Sequence, residues 1–141
     1  MHVKIKKLHP DAVIPKYAKE GDAGMDLIAT SKLSNTNFQK TYGTGLSMEI
    51  PEGYVGLVFP RSSVRNKELF LSNSVGVIDS GYRGELQVTF NKTNGYDSID
   101  YELGDKIAQI IILPYPYVTF DEVEELSSTE RGEGGFGSTG K

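Results

Sequence analysis

The chain contains no cysteine, which excludes disulfides and thiolate metal sites and fits an intracellular compartment. Histidine is nearly absent as well. His2 and His9 are the whole supply, both close to the N-terminus, and too few for a histidine metal centre. No apolar run approaches the roughly 20 residues of a membrane span, and residues 110–113 make only a strand-sized one. Behind the basic start Met1-His2-Val3-Lys4 no apolar segment follows, so no secretory leader is expected. Positive charge is not in excess: 15 Lys and Arg against 19 Asp and Glu give a net charge of −4, which argues against a nucleic-acid polymer as partner. A small anionic ligand stays open, provided local cations or a divalent metal offset the protein's own field. There is no Gly-x-Ser-x-Gly elbow, and the glycine-rich C-terminus lacks the Gly-Lys-Ser/Thr ending of a P-loop, which sets aside serine hydrolases and P-loop nucleotide hydrolases.

What is present is a succession of short alternating segments. With 141 residues the chain suits one domain with a real core. Residues 3–8 alternate and read as an edge strand whose lysines discourage edge-to-edge pairing. Pro10 and Pro15 exclude a helix nearby. Further strands are predicted at 25–30, at 46–50, at 54–59, at 106–113 and, shorter, at 117–120. Pro51-Glu52-Gly53 is a plausible hairpin connection, Asn94-Gly95 a turn, and residues 31–40 a polar loop. One short helix is expected over 60–69, capped by Ser62 or Ser63. The sum is an all-β fold, a jelly-roll-like barrel or sandwich with one short helix. From Asp121 onward acids and then glycines replace the hydrophobic period, so the division is a β-barrel domain over 1–120 and an arm with a flexible glycine-rich end over 121–141.

The most pointed stretch is Gly76-Val77-Ile78-Asp79-Ser80-Gly81-Tyr82-Arg83-Gly84. Alternation on both sides of Ser80-Gly81 predicts a β-hairpin with a carboxylate at its tip and a phenol just past the turn. Asp79 then has two readings: a turn former bonded to its own backbone, or an aimed carboxylate. Arg61-Ser62-Ser63 is either an anion site at a helix start or a capped surface helix. Asp26, Asp79 and Asp105 could hold a hard divalent cation if the fold brought them together; otherwise each is a turn or strand-end residue. Arg131, Phe136, Ser138 and Thr139, interleaved with glycine, suit a flap that closes over a ligand, with a ring to stack and donors for phosphate.

Together these segments resemble the homotrimeric deoxyuridine triphosphatase (dUTPase) family from end to end. The resemblance rests on five motifs in order: Ala23-Gly24-Met25-Asp26-Leu27, Pro60-Arg61-Ser62-Ser63, residues 73–84, Gly104-Asp105-Lys106-Ile107-Ala108-Gln109, and residues 131–140. It implies a homotrimer with three sites, each built from three subunits, that converts dUTP and water into dUMP and pyrophosphate with Mg2+. It implies Asp79 as the base for the attacking water. Arg61, Ser62, Ser63 and Gln109 are then phosphate contacts, and Arg131, Ser138 and Thr139 hold the terminal phosphate. Asn73 and the backbone of Gly76, Val77 and Ile78 read the uracil, Tyr82 excludes the ribose 2′-hydroxyl, and Phe136 covers the base. Asp26 acts on the metal indirectly, through water. Neither a nucleic-acid polymer nor a membrane is implied as a partner, and the place of action is the cytoplasm, or that of a host cell if the origin is viral. Two alternatives stay in view. A dCTP deaminase of the same fold would carry a catalytic glutamate where this chain has Thr89, and a non-catalytic nucleotide-binding regulator would keep the fold without turnover.

Overall fold

The computed structural model describes residues 1–93, 99–135 and 137. It contains ten strands: β1 (Lys4–Lys7), β2 (Met25–Ile28), β3 (Ser31–Asn35), β4 (Gln39–Gly43), β5 (Leu46–Glu49), β6 (Tyr54–Pro60), β7 (Leu69–Leu71), β8 (Gly76–Ile78), β9 (Gln87–Lys92) and β10 (Lys106–Pro114). They form two four-stranded antiparallel sheets, ordered β2-β10-β6-β8 and β3-β4-β9-β7, and a two-stranded ladder of β1 with β5. From β6 onward successive strands alternate between the two large sheets, the crossing pattern of a jelly-roll-like sandwich. Among the described residues no helix is long and apolar enough to cross a membrane.

One core joins the inner faces of both sheets. Leu27, Val58 and Ile110 come from one, Tyr42, Val88 and Phe90 from the other, and Leu46 from β5 closes an end. The alternation in Val88 and Phe90 places one face of β9 inward while its intervening residues look outward. β10 has neighbours on both sides, and that is why its sequence is nearly continuous in apolar residues rather than alternating. The single polar residue within its apolar run, Gln109, lies in one row between Asp26 of β2 and Phe59 of β6.

Several expectations are corrected. Residues 31–40 are not a loop: they supply β3 and the start of β4, joined by a turn in which the Thr36 hydroxyl accepts from Gln39 N. Their polar composition suits an outer sheet edge, where side chains stay in water. The helix over 60–69 shrinks to a 3-10 stretch, Ser62–Asn66, preceded by Arg61 in extended conformation and without a side-chain cap. Pro51 to Tyr54 does make a turn, with Tyr54 N on Pro51 O at 3.1 Å, but β5 and β6 pair elsewhere and form no hairpin. Residues 117–120 form no strand, and Tyr117 and Phe120 stand almost fully exposed. The Asn94-Gly95 turn falls outside the described residues.

The hairpin over 76–90 is the chief correction. β8 pairs with β6, whereas β9 pairs with β4 and β7, so the strands on either side of Asp79 belong to opposite sheets. Each strand has an apolar face that a different sheet buries, and this outweighs the local turn signal. A turn does remain, with Tyr82 N donating to Asp79 O at 3.1 Å, yet Gly81 does not use the positive φ for which it seemed suited. Because the two strands diverge, a cleft opens between them.

Candidate active site

β8 is the edge strand of its sheet, so alternate backbone groups of residues 76–78 point away from β6 and into that cleft. On the tip side Asp79, Tyr82, Glu85 and Gln87 line a hollow of about 160 Å³. On the other side Asn73, Gly76, Gln87 and Thr89 line one of about 260 Å³. Asp79 and Asn73 are both exposed, and Ser74 beside Asn73 holds a left-handed φ of 60°, an uncommon conformation outside glycine that turns the chain into β8.

The loop carrying Asp79 is fixed from several directions. Arg83 Nη1 donates to the carbonyls of Ser80 (2.6 Å) and Tyr82 (2.9 Å), and the Ser47 hydroxyl donates to Arg83 O at 2.7 Å. Glu85 Oε1 accepts Gly45 N at 2.7 Å, tying the loop to the corner between β4 and β5. The Tyr82 hydroxyl donates to Glu85 O at 3.0 Å. Its ring lies so close over Gly84 that a Cβ there would stand 2.5 Å from Cζ and would overlap the hydroxyl. Glycine is therefore required at 84 by close approach, not by φ. Glu85 and Gly84 carry no assigned role in the sequence reading, although both stand beside the recognised stretch.

A second cluster forms at the other end of β6. Asp26 Oδ1 accepts Arg61 Nε at 2.7 Å, and its Oδ2 meets Lys106 Nζ at 2.8 Å. Burial pushes the Asp26 carboxyl upward, but the bonds from Lys106 and Arg61 outweigh it and hold the group below its usual range. Arg61 Nη1 reaches the Ser63 hydroxyl at 3.3 Å, while Ser62 is exposed. Gln109 Nε2 donates to Pro60 O at 3.1 Å, and its Oε1 rests where a Cβ on Gly24 would be 2.5 Å away. So Asp26, Arg61, Ser63 and Gln109 meet as expected, with Lys106 as a cation the sequence reading left without a role. Asp105 does not join them as a ligand: its Oδ2 accepts Glu102 N at 2.8 Å and closes a turn that includes Gly104 at φ +90°. Among the described residues no group of three His, Cys, Asp or Glu side chains could hold a metal ion.

The two clusters are separated within one chain. Ile78 pairs with Gly56, so Asp79 extends toward Val55, whereas Gln109 and Asp26 lie in the row of Phe59. Four residues at about 3.3 Å each put roughly 13 Å of strand between those rows. Arg131 turns back on its own segment, its Nε on Gly134 O at 2.9 Å, in an exposed stretch. Phe136, Ser138 and Thr139 lie outside the described residues.

An exposed edge-strand backbone beside a carboxylate, a phenol packed over a glycine, and a separate cationic cluster that includes an amide define a β-sandwich protein equipped for a flat polar ring and an anionic tail. The profile of the dUTPase family matches residues 10–140. The chain is 43% identical to a deoxyuridine 5'-triphosphate nucleotidohydrolase of Clostridium tetani, with 99% of this chain and 97% of the relative covered. It is 41% identical to the protein of that name from Rhodococcus erythropolis, with 99% and 87% covered. A solved structure of a Staphylococcus bacteriophage 80alpha dUTPase mutant with dUpNHpp superposes with a TM-score of 0.85 at 29% identity, covering 99% of both chains. This chain belongs to the dUTPase family.

Proposed function

We propose that the chain hydrolyses dUTP to dUMP and pyrophosphate, in the cytoplasm of its own or a host cell, and so lowers dUTP while supplying dUMP. The observation that carries this reading is Asp79 at the end of an edge strand whose free backbone faces a cleft walled by Tyr82. Uracil carries one N–H between two carbonyls, and edge-strand C=O and N–H groups at 76–78, with Asn73, suit that pattern. Cytosine would leave buried groups unpaired, at about 1–3 kcal/mol each. Tyr82 packs against the sugar at C2′ and leaves no room for a hydroxyl.

Asp79 accepts the proton of a water whose oxygen attacks the α-phosphorus. The bond from that phosphorus to the bridging oxygen breaks, and pyrophosphate departs. Asp26 fixes Arg61 through Nε, which leaves the Nη edge for phosphate, and Ser62, Ser63 and Gln109 supply further donors. Arg131, Ser138 and Thr139 hold the terminal phosphate and Phe136 covers the base, with residues 121–141 acting as an arm and flap that shed water on closing.

Mg2+ fits this set in one way. Both Asp26 oxygens already meet cations, so the protein offers an indirect, water-mediated contact, and a magnesium ion carried on triphosphate oxygens suits that arrangement. When bound it neutralises charge on the triphosphate. A solved dUTPase of Staphylococcus aureus phage phi11, at 28% identity and a TM-score of 0.75, is described as coordinating a structural Mg(II) ion.

The distance along β6 favours a site shared between copies, and a homotrimer is the assembly we infer. Exposed Tyr117, Phe120 and Leu126 supply apolar surface for it. The test uses a nucleotide panel with Mg2+, scoring pyrophosphate and ammonia. Pyrophosphate from dUTP alone is expected, while ammonia from dCTP would make the chain a deaminase. Thr89, whose hydroxyl meets that of Thr41 at 2.9 Å, speaks against the latter. Tight dUTP binding without turnover would favour a regulator. Asp79→Asn should bind dUTP without cleaving it. Equal amounts of Asp79→Asn and Arg61→Ala chains, reassembled together, should recover about a quarter of wild-type activity if the two residues meet only across subunits, and none if each site lies in one chain.

A further inference from the structure

Tyr101 is 2% exposed, and among the described residues its hydroxyl is the one buried side-chain polar atom without a hydrogen-bond partner. Its place is tightly set. The ring meets Tyr42 edge-on at 6.2 Å and Phe90 at 5.4 Å, and Lys67 Nζ lies 5.0 Å from its centroid. The Tyr42 hydroxyl donates to Tyr101 O at 3.0 Å, and Lys67 Nζ donates to Asp100 O at 2.6 Å. Lys40 and Asp100 form an ion pair with both side chains largely buried. Neither ring nor backbone has room to turn the hydroxyl toward solvent.

Packing alone does not account for that oxygen. Phenylalanine would fill the same space without burying an unpaired donor, which is unfavourable. The polar groups that face it are Ser63 and Arg61, from the phosphate-binding segment. Burial pushes the Tyr101 phenol up, with the Ser63 hydroxyl and the Arg61 guanidinium opposing, so the phenol stays protonated and remains a donor at neutral pH. Ser63 meanwhile accepts only the long 3.3 Å contact from Arg61 Nη1.

Resting on the function proposed above, we propose that Tyr101 is a positioning residue that orients the Ser63 hydroxyl toward the substrate's phosphates. When Arg61 turns its Nη edge to phosphate, Ser63 Oγ loses its one donor. The Tyr101 O–H then closes on Ser63 Oγ, and the Ser63 hydrogen is left to point outward to a phosphate oxygen. No proton changes owner; one hydrogen bond is exchanged for another.

The test compares wild type, Tyr101→Phe, Ser63→Ala and the double variant as full chains, for kcat and KM with dUTP and Mg2+ and for Tm. Tyr101→Phe is expected to keep or raise Tm and to lower kcat/KM by about 5- to 20-fold, while adding little in the Ser63→Ala background. A wild-type kcat/KM in Tyr101→Phe would overturn the proposal, as would losses that simply multiply in the double variant. A fall in Tm matching the loss of activity would make the hydroxyl structural and also overturn it. If wild type releases no pyrophosphate from dUTP, the functional reading fails by itself. Calorimetric binding of dUpNHpp to the same four proteins then decides the coupling without turnover: affinity lowered by Tyr101→Phe only when Ser63 is present supports it, and equal affinities refute it.

Discussion

Gly84→Ala isolates the part of the cleft that should separate dUTP from UTP. The added Cβ would stand 2.5 Å from Tyr82 Cζ and 2.9 Å from Cε2, with the hydroxyl closer still. Carbon atoms pack at about 3.5–4.0 Å, so the ring must withdraw by about 1 Å. Gly84 does not have a positive φ, so the backbone accepts alanine and the whole burden falls on the ring. Tyr82 is 43% exposed and can swing toward solvent, giving up the 3.0 Å bond to Glu85 O. The stability cost is then about 1 kcal/mol, or roughly 2–5 °C in Tm. The effect on selectivity should be larger, because a steric barrier against one hydroxyl is worth about 1–3 kcal/mol and a displaced ring no longer supplies it. The ratio of kcat/KM for dUTP to that for UTP should fall about tenfold or more, measured by pyrophosphate release, with Tm read by calorimetry. An unchanged ratio with unchanged Tm would show that the ring is not held over Gly84. A large fall in Tm with an unchanged ratio would make Tyr82 a structural residue and remove it as the sugar gate.

Gly24→Ala should push the Gln109 amide aside and raise KM for dUTP several-fold at nearly constant Tm, because the contact is with the free end of that side chain; unchanged KM removes Gln109 from substrate contact. Asp100→Asn leaves the largely buried Lys40 ammonium without its countercharge and should cost about 3–5 kcal/mol in urea unfolding; a loss below about 1 kcal/mol would mean the pair is effectively solvated. Asp26 titrates lower in the folded chain than in the unfolded one, so its contribution is present above about pH 4, the ordinary carboxylate range, and is lost as pH falls through its folded value. Urea midpoints should accordingly drop more steeply in acid for wild type than for Asp26→Asn, and parallel acid limbs would contradict the role given to Lys106 and Arg61.

The fold class was legible because β-structure writes itself locally. Leu46, Met48 and Ile50 alternate, Val88 and Phe90 alternate, and residues 106–113 are apolar throughout because β10 is covered on both flanks. Pairing was not legible. The turn chemistry at Ser80-Gly81 and at Pro51-Glu52-Gly53 is real, and both turns form, yet neither joins two strands of one ladder. A turn signal reports how the chain reverses over four residues. Which strand it pairs with afterwards depends on faces that become buried tens of residues away, as when β8 finds β6 and β9 finds β4. The polar segment 31–40 misled for the complementary reason: an outer edge leaves its side chains in water, so its composition imitates a loop.

The site was legible as a set of segments and illegible as a geometry. Asp26, Arg61, Ser63 and Gln109 converge because β2, β10 and β6 lie side by side, so motifs far apart in sequence fall into one row. Lys106 escaped notice because a lysine at the start of a strand has no local feature that predicts a carboxylate opposite. Tyr101 escaped for a stronger reason: only burial distinguishes its hydroxyl from that of any exposed tyrosine. The correction to the hairpin strengthens the functional reading of Asp79. Two strands of a closed hairpin would satisfy each other's backbone groups and leave a carboxylate on a narrow tip. Two strands that separate into different sheets keep the edge of β8 unpaired beside Asp79. Those free backbone groups can distinguish one pyrimidine from another, a task for which side chains alone supply only Asn73.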